Sequence, residues 1–285
     1  MPRSSGYTTA LRNIGSIRNS GFELQLDGRI IDRAVKWDLG VNFSLNRSKV
    51  LVLSEDKDIF GGELDNTILK DQLNLMRVGE PMYVFYGYVE DGYDENGHIV
   101  YKNMDDDPAI TAADKTIIGD PNPDFLVNLT TAVSYKGFTL SAFFQSSIGN
   151  DIYSLSMAAQ AYDYGYNGNT LREVYYNHWT PENPTAKYPN LDQTSYKMSD
   201  RFVYDGSFVR LKNLELAYDV PCARSKFIKR ARVYVSAQNL FTITSYPFWD
   251  PDINANGGGS SMIQGVDSYC YPSARTYTIG CRLTF

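Results

Sequence analysis

Ser273-Ala-Arg-Thr-Tyr-Thr-Ile-Gly-Cys-Arg-Leu-Thr-Phe285 decides the fold. Counting back by two from the end gives Phe285, Leu283, Cys281, Ile279 and Tyr277. The residues between them are Thr284, Arg282, Gly280, Thr278 and Thr276. One face is apolar and the other is polar or small, and the segment stops on an aromatic. Side chains of a strand alternate between its two faces, so a period of two places those faces in different surroundings.

The same period recurs upstream. Trp37, Leu39, Val41, Phe43 and Leu45 alternate with Asp38, Gly40, Asn42, Ser44 and Asn46. Phe125, Val127, Leu129, Thr131, Val133 and Tyr135 alternate with Leu126, Asn128, Thr130, Ala132 and Ser134. After a Lys136-Gly137 turn, Phe138, Leu140, Ala142 and Phe144 alternate with Thr139, Ser141, Phe143 and Gln145. Ala231, Val233, Val235 and Ala237 continue to Phe241 and Ile243, and Phe22, Leu24, Leu26 and Ile30 open the series. In these strands every Asp, Glu or Arg lies in the polar phase. A charge on a lipid face costs roughly 2–4 kcal/mol at the bilayer midplane, so this exclusion is expected of a membrane barrel. A soluble sandwich also keeps charge from its core, but its outer face usually carries Lys and Glu. Here that face is Asn, Ser, Thr and Gln, which suits a wet lumen.

Strand 206–219 changes phase. Val209 and Leu211 belong to one face, whereas Leu214, Leu216 and Tyr218 belong to the other, which predicts a β-bulge near Asn213. Ile68–Val78 and Met82–Glu90 are further candidate strands, giving about nine in all. Connections alternate between long (91–123, 148–205, 246–272) and short (136–137, 220–229). Outer-membrane barrels have short periplasmic turns and long extracellular loops. With Phe285 on the periplasmic side, every long connection falls outside the cell. Loops of this length with no helix-like pattern count against a compact soluble domain.

Composition fits that reading. The chain has 285 residues, a formal charge of -6 and no Lys/Arg-rich run, which argues against a nucleic-acid partner. Tyr (22) outnumbers Phe (14) and Trp (3), as suits interfacial girdles and sugar-facing surfaces, because the ring has an apolar body and a wet tip. Mean hydropathy is -0.34, and no apolar run reaches the ~18 residues of a membrane helix. Pro2-Arg-Ser-Ser-Gly6 has no apolar signal-peptide segment. Cys222, Cys270 and Cys281 form no disulfide framework and are expected to be structural or incidental.

Several stretches resemble the SusC/RagA family of TonB-dependent outer-membrane transporters. They are Asn19-Ser-Gly-Phe-Glu23, Tyr86-Gly-Tyr88, Gly119-Asp-Pro-Asn-Pro-Asp-Phe125, Ser207-Phe-Val-Arg-Leu-Lys-Asn-Leu214, Ala237-Gln-Asn-Leu-Phe241 and Tyr271-Pro-Ser-Ala-Arg-Thr-Tyr-Thr-Ile-Gly280. Together they run in the family's order across nearly the whole chain. The resemblance implies an all-β, antiparallel transmembrane barrel of 22 strands in the outer membrane, of which residues 1–285 form the C-terminal portion. It implies a plug energised through the TonB complex, neither plug nor TonB box being expected in this chain. A surface lipoprotein of the SusD type and oligosaccharide or peptide cargo are also implied, and Phe285 resembles the terminal signal that the barrel-assembly machinery reads. The chain is thus expected to be a piece of a larger transporter. An open sheet supports this, since hydrocarbon does not tolerate unpaired strand edges. The rival from another class is a soluble, secreted β-sandwich that binds carbohydrate.

Site candidates lie in the loops. Asn103-Met-Asp105-Asp-Asp107-Pro-Ala-Ile110-Thr-Ala-Ala-Asp114 matches a calcium-loop register. Its side-chain donors are Asn103, Asp105, Asp107 and Asp114, and Ala109 would supply a carbonyl. Pro108 stands where the sharp turn wants glycine, and Asp114 is shorter than the usual Glu; the alternative is an acidic solvated loop. No cofactor is required, and calcium is the one candidate. Tyr162, Tyr164, Tyr166 and Trp179 of the loop at 148–205, with Phe248 and Trp249 of the last loop, could stack on sugar or meet a lid protein. Alternatively, these rings simply pack the loops together or sit in the membrane girdle. His98 and His178, the two histidines, stand in no metal-ligand spacing, and no nucleophile elbow is present, so no enzyme activity is expected.

Overall fold

The computed structural model describes residues 15–54, 57–65, 69–162, 169–222, 227–253 and 262–285. Seven antiparallel strands form one sheet in sequence order: β1 (Gly15–Asp32), β2 (Val35–Leu53), β3 (Phe125–Tyr135), β4 (Phe138–Ile148), β5 (Phe208–Val220), β6 (Arg230–Thr244) and β7 (Thr276–Thr284). Each wall strand thus pairs with the next one along the chain, and β1 and β7 are the edges of this sheet. The expected antiparallel wall is present with the expected phases. Phe22 faces Leu45, Val127 faces Phe43, Leu140 faces Leu216 and Val235 faces Ile279.

One face of this wall is apolar and uncovered. Phe22, Leu24, Val133, Phe138, Leu140, Leu216, Val233, Val235, Ile279 and Phe285 are all exposed large apolar residues. A sandwich would bury that face under a second sheet; here it stands free, as a lipid-facing wall does. Aromatics flank it at both ends. Phe43 contacts Phe22 and stacks on Phe125, the first residue of β3, at 5.8 Å between centroids. Phe138 and Tyr218 pair at 4.5 Å near the lower end. The opposite face carries the charges in pairs, Arg29–Asp38 at 2.8 Å and Arg232 with Asp219 at 3.3 Å.

The expected bulge is present. Both neighbours of β5 step over Lys212: Leu211 faces Phe144 and Phe241, while Asn213 faces Phe143 and Gln238. This step is what moves the apolar phase from Leu211 to Leu214. The Lys136-Gly137 connection is a two-residue turn with φ of 46° and 87°, the primed geometry that matches strand twist.

Two expectations are corrected. Among the described residues the wall has seven strands, not nine. The segments taken from 68–78 and 82–90 contain only short strands, Lys70–Gln72, Asn74–Met76 and Val84–Gly87, which pair away from the wall. The long loops also contain helices, α1 (Leu155–Tyr162) and α2 (Arg172–Tyr176). The described residues of the three segments 54–124, 149–207 and 245–275 follow from the same ends of the wall strands and fold together as a cap. A four-stranded sheet in the first orders Thr116–Gly119, Val84–Gly87, Asn74–Met76 and Ile59–Phe60. Asp151–Ser154 pairs with Val203–Asp205 of its own segment and in parallel with Val266–Asp267 of the third.

The hydrophobic core therefore lies in the cap. Leu73, Phe85 and Tyr88 of the first segment meet Tyr153, Ala158, Met198 and Phe202 of the second and Ile263 and Val266 of the third. Polar ties cross the same boundaries. The Tyr88 N–H donates to Met198 O (2.9 Å), and Arg201 binds the Glu90 carboxylate. Among the described residues no helix is long and apolar enough to cross a membrane.

Candidate functional site

Where the polar face of the wall meets the underside of the cap, a cavity of about 430 Å3 opens. Its wall side is Asn19, Asn46 and Ser48, which share the inward phase of β1 and β2: Asn19 faces Ser48 in the register. Its cap side comes from all three segments, through Met82, Asn122, Asn150, Pro251 and Gln264 among others. Two smaller spaces of about 250 and 180 Å3 adjoin it along the inner ends of β2 to β4, sharing Pro123 with it. Half of the lining residues carry amides or hydroxyls, groups that both donate and accept, and the other half are prolines, aliphatic side chains and a glycine. Asn128, on the inward face of β3, lines the neighbouring space, and its Oδ1 is buried with no partner among the described residues. An unpaired buried acceptor is costly, so it favours a donor from outside.

Local sequence holds this lining in place. In Gly119-Asp-Pro-Asn-Pro-Asp124, the Asp120 Oδ1 accepts from the Asn122 N–H (2.9 Å), and Asn122 Nδ2 donates to Met82 O (2.8 Å). Asp151 Oδ2 accepts the Asp120 N–H at 2.9 Å. Burial pushes the Asp151 carboxyl above its usual range, and Asp120, Asp205 and Asp124 push in the same direction against the hydrogen bond from Asp120. Arg47 fastens the end of the motif to β2 through Asp124 at 2.6 Å. Buried Asn74 donates from Nδ2 to Tyr83 O (2.8 Å) and Gln264 O (3.0 Å), tying the first and third segments. Gly265, at φ 68°, lies so close to Pro121 that any side chain there would collide with it.

The third segment is held by Arg210. Its guanidinium, almost wholly buried, binds Asp250 and donates to Thr242 Oγ1 (2.9 Å) and Ser273 Oγ (3.2 Å). Burial pushes Asp250 up, yet the N–H groups of Ser273 and Asp252 together with Arg210 outweigh it and hold the carboxyl below its usual range. This fixes the Pro251–Ile253 stretch that walls the cavity.

The residues singled out in the sequence lie elsewhere. Tyr162 ends α1 inside the cap core, stacked on Tyr196 at 3.7 Å and edge-on to Phe202. Its hydroxyl is buried without a partner, so this ring packs loops together, the alternative its sequence left open. Tyr164 and Tyr166 lie outside the described residues. Half-buried Trp179 lies flat against Gly97, whose φ of 79° and missing side chain make room for the indole. Phe248 and Trp249 stack on each other at 4.8 Å; Phe248 rests on the cap core and Trp249 is exposed. Phe285 is exposed just past β7.

The acidic loop is closed by its own hydrogen bonds. Asn103, Asp105 and Asp107 each accept, through Oδ1, the N–H two residues on. Asp114 is buried, with Oδ1 on the Met104 N–H (2.8 Å) and Oδ2 on the Thr111 N–H (2.7 Å). Among the described residues no three His, Cys, Asp or Glu side chains gather closely enough to hold a metal ion. Ala109 contributes its N–H to Asp107.

No protein-family profile matches the chain. A TonB-dependent receptor, P3, of Formosa agariphila is 32% identical over the whole chain, which covers 30% of that receptor. The TonB-dependent receptor SusC of Bacteroides thetaiotaomicron is 28% identical over 96% of the chain, covering 27% of SusC. The solved RagAB peptide transporter superposes on the entire chain with a TM-score of 0.79 at 26% identity, again over 31% of its own length. In sequence and in fold the chain is similar to the SusC/RagA TonB-dependent receptors. It spans about a third of the length of the curated relatives it matches. The expected fold and outer-membrane location stand with this match, and these relatives are named as receptors and transporters, not enzymes. The amide-lined cavity was not singled out in the sequence. Its one signal there is Gly119-Asp-Pro-Asn-Pro-Asp124, whose three central residues all line it.

Proposed function

We propose that this chain supplies part of the wall and of the extracellular cap of a TonB-dependent importer, and that its amide-lined cavity holds cargo entering the lumen. The observation that carries the proposal is the meeting of all three cap segments with the inward faces of β1 and β2 around one space to which five amide side chains contribute. Amides and hydroxyls there match the hydroxyls of an oligosaccharide or the backbone of a peptide, the two cargo classes that the family resemblance implies.

The remaining parts of the mechanism lie in the rest of the receptor. Energy arrives through a plug that contacts the TonB complex, and a SusD-like lipoprotein closes over the cap. Tyr175 and Tyr176, edge-on to each other at 5.1 Å and both exposed, offer that lid an aromatic footing. The test is uptake by cells carrying the full receptor, with labelled oligosaccharides and labelled peptides supplied in parallel. Asn19→Leu with Asn46→Leu is expected to depress uptake of one class while receptor levels in the membrane stay normal. Unchanged uptake of every transported compound refutes the assignment of the cavity.

A further inference from the structure

A second concavity lies on the opposite face of the wall. Phe138, Leu216, Tyr218, Val233, Val235, Ile279 and Cys281 carry its outward surface, around a space of about 590 Å3. All belong to the periplasmic half of β4 to β7. Phe138 follows the Lys136-Gly137 turn directly, and Tyr218 stands two residues from the end of β5. The Phe138–Tyr218 ring pair, with centroids 4.5 Å apart, forms one bank. Ile279 forms the other, and Leu216, Val233 and Val235 lie between them in register: Leu216 faces Val235, which faces Ile279.

Two lysines stand in the chain next to the groove's strands, just before Phe138 and just before β6. Lys136 keeps its ammonium 5.2 Å from the centre of the Tyr135 ring, and Tyr135 pairs with Phe138. Lys229 precedes β6 in the outward phase of Val233 and Val235, its N–H bound to Thr284 O at 2.7 Å. Among the described residues neither ammonium has a carboxylate partner. The nearby acids Glu215 and Asp219 lie in the inward phase and are engaged by Arg232 at 3.6 and 3.3 Å. The groove runs three residues along β5, β6 and β7, roughly 7–10 Å at about 3.3 Å per residue, and one residue of β4 closes its side. That fits within one leaflet of a hydrocarbon core about 30 Å thick.

We propose that this groove is a phospholipid site of the periplasmic leaflet. One acyl chain lies between the Phe138–Tyr218 pair and Ile279, and Lys136 and Lys229 hold the phosphate. A smooth wall would solvate lipid tails without preference. A groove that removes apolar surface on three sides, next to two unpaired cations, selects an anionic lipid by both of its ends. The proposal rests on the outer-membrane placement of the wall and not on the nature of the cargo.

The test is native mass spectrometry of the full receptor, extracted in mild detergent and supplied with phosphatidylglycerol or phosphatidylcholine. The wild-type receptor is expected to retain phosphatidylglycerol several-fold better. Leu216→Trp with Val235→Trp fills the groove with residues that a lipid face tolerates, and is expected to abolish retention of both lipids. Lys136→Asn with Lys229→Gln is expected to remove only the preference; Asn tolerates the positive φ that the turn imposes on Lys136. Cargo uptake is expected to persist in both variants, so a failure here is separable from a failure of the importer reading. Retention unchanged by the two tryptophans overturns the proposal. So does a bound species that proves to be detergent only, lipopolysaccharide, or a second copy of the receptor.

Discussion

Arg210 of β5 and Asp250 of the last cap segment form a buried ion pair forty residues apart, and it fastens the cap to the wall. Around that pair, Arg210 also donates to Thr242 and Ser273, and both Asp250 oxygens accept backbone N–H groups, from Asp252 and Ser273. Removing one member leaves an uncompensated buried charge, which costs about 3–5 kcal/mol. Arg210→Ala is therefore expected to release residues 245–275 while β3 and β4 stay intact. Limited proteolysis of the membrane-embedded receptor should show new cleavage in that segment alone. Protection equal to wild type would remove the pair from the account.

Tyr162 separates a packing role from cargo stacking. Its ring is enclosed by Tyr196 and Phe202, and its hydroxyl has no partner. Removing a buried, unpaired hydroxyl relieves a desolvation cost of about 1–3 kcal/mol. Tyr162→Phe should raise thermal stability and leave uptake unchanged. Tyr162→Ala should lower stability by about 3–5 kcal/mol. A selective loss of uptake in Tyr162→Phe would return this residue to the cargo path.

Asp114 makes the acidic loop sensitive to acid. The Met104 N–H, then the Thr111 N–H, hold its carboxyl below the usual 3.8, against burial. Because the folded value is the lower one, the stabilisation is fully present above the unfolded value. It is lost as pH falls through the folded value. Hydrogen exchange at 103–115 is expected to be slow and flat from neutral pH to about 5, corrected for intrinsic rate, and to accelerate below about 4. Asp114→Asn should abolish that dependence. The same measurement with and without calcium tests the ion: protection that rises with calcium and needs Asp105 and Asp107 would show the site is occupied.

The wall was legible in the sequence because each of its strands sits between two solvents. Tyr277 to Phe285 shows this most plainly, and even the phase change at Lys212 left a mark in the order of Leu211 and Leu214. The cap was not legible, for three physical reasons. Its ties join residues far apart in the chain, such as Asn74 and Gln264. Its strands, such as Asn74–Met76, are too short to show a period. Helix α1 is buried nearly all round, so Leu155-Ser-Met-Ala-Ala-Gln-Ala-Tyr162 carries no polar stripe to announce a helix. The cavity shares this fate, since its amides come from separate segments and each alone looks like an ordinary loop residue.

Opposite faces of a single strand should respond differently to charge. Leu140 on the outward face of β4 and Ser141 on the inward face are neighbours in the chain. Leu140→Arg should cost about 2–4 kcal/mol in urea titrations of the receptor refolded into bilayers. Ser141→Arg should cost much less. Equal costs would mean that the two faces share one environment.

The most direct measurement is a nitroxide scan of β4 in the membrane-embedded receptor, from Phe138 to Gln145, against a lipid-soluble and a water-soluble relaxant. Positions 138, 140, 142 and 144 should respond to the lipid-soluble agent, and 139, 141, 143 and 145 to the aqueous one. A scan without that alternation, or with the outward positions shielded from both agents, would contradict a wall that stands between lipid and lumen.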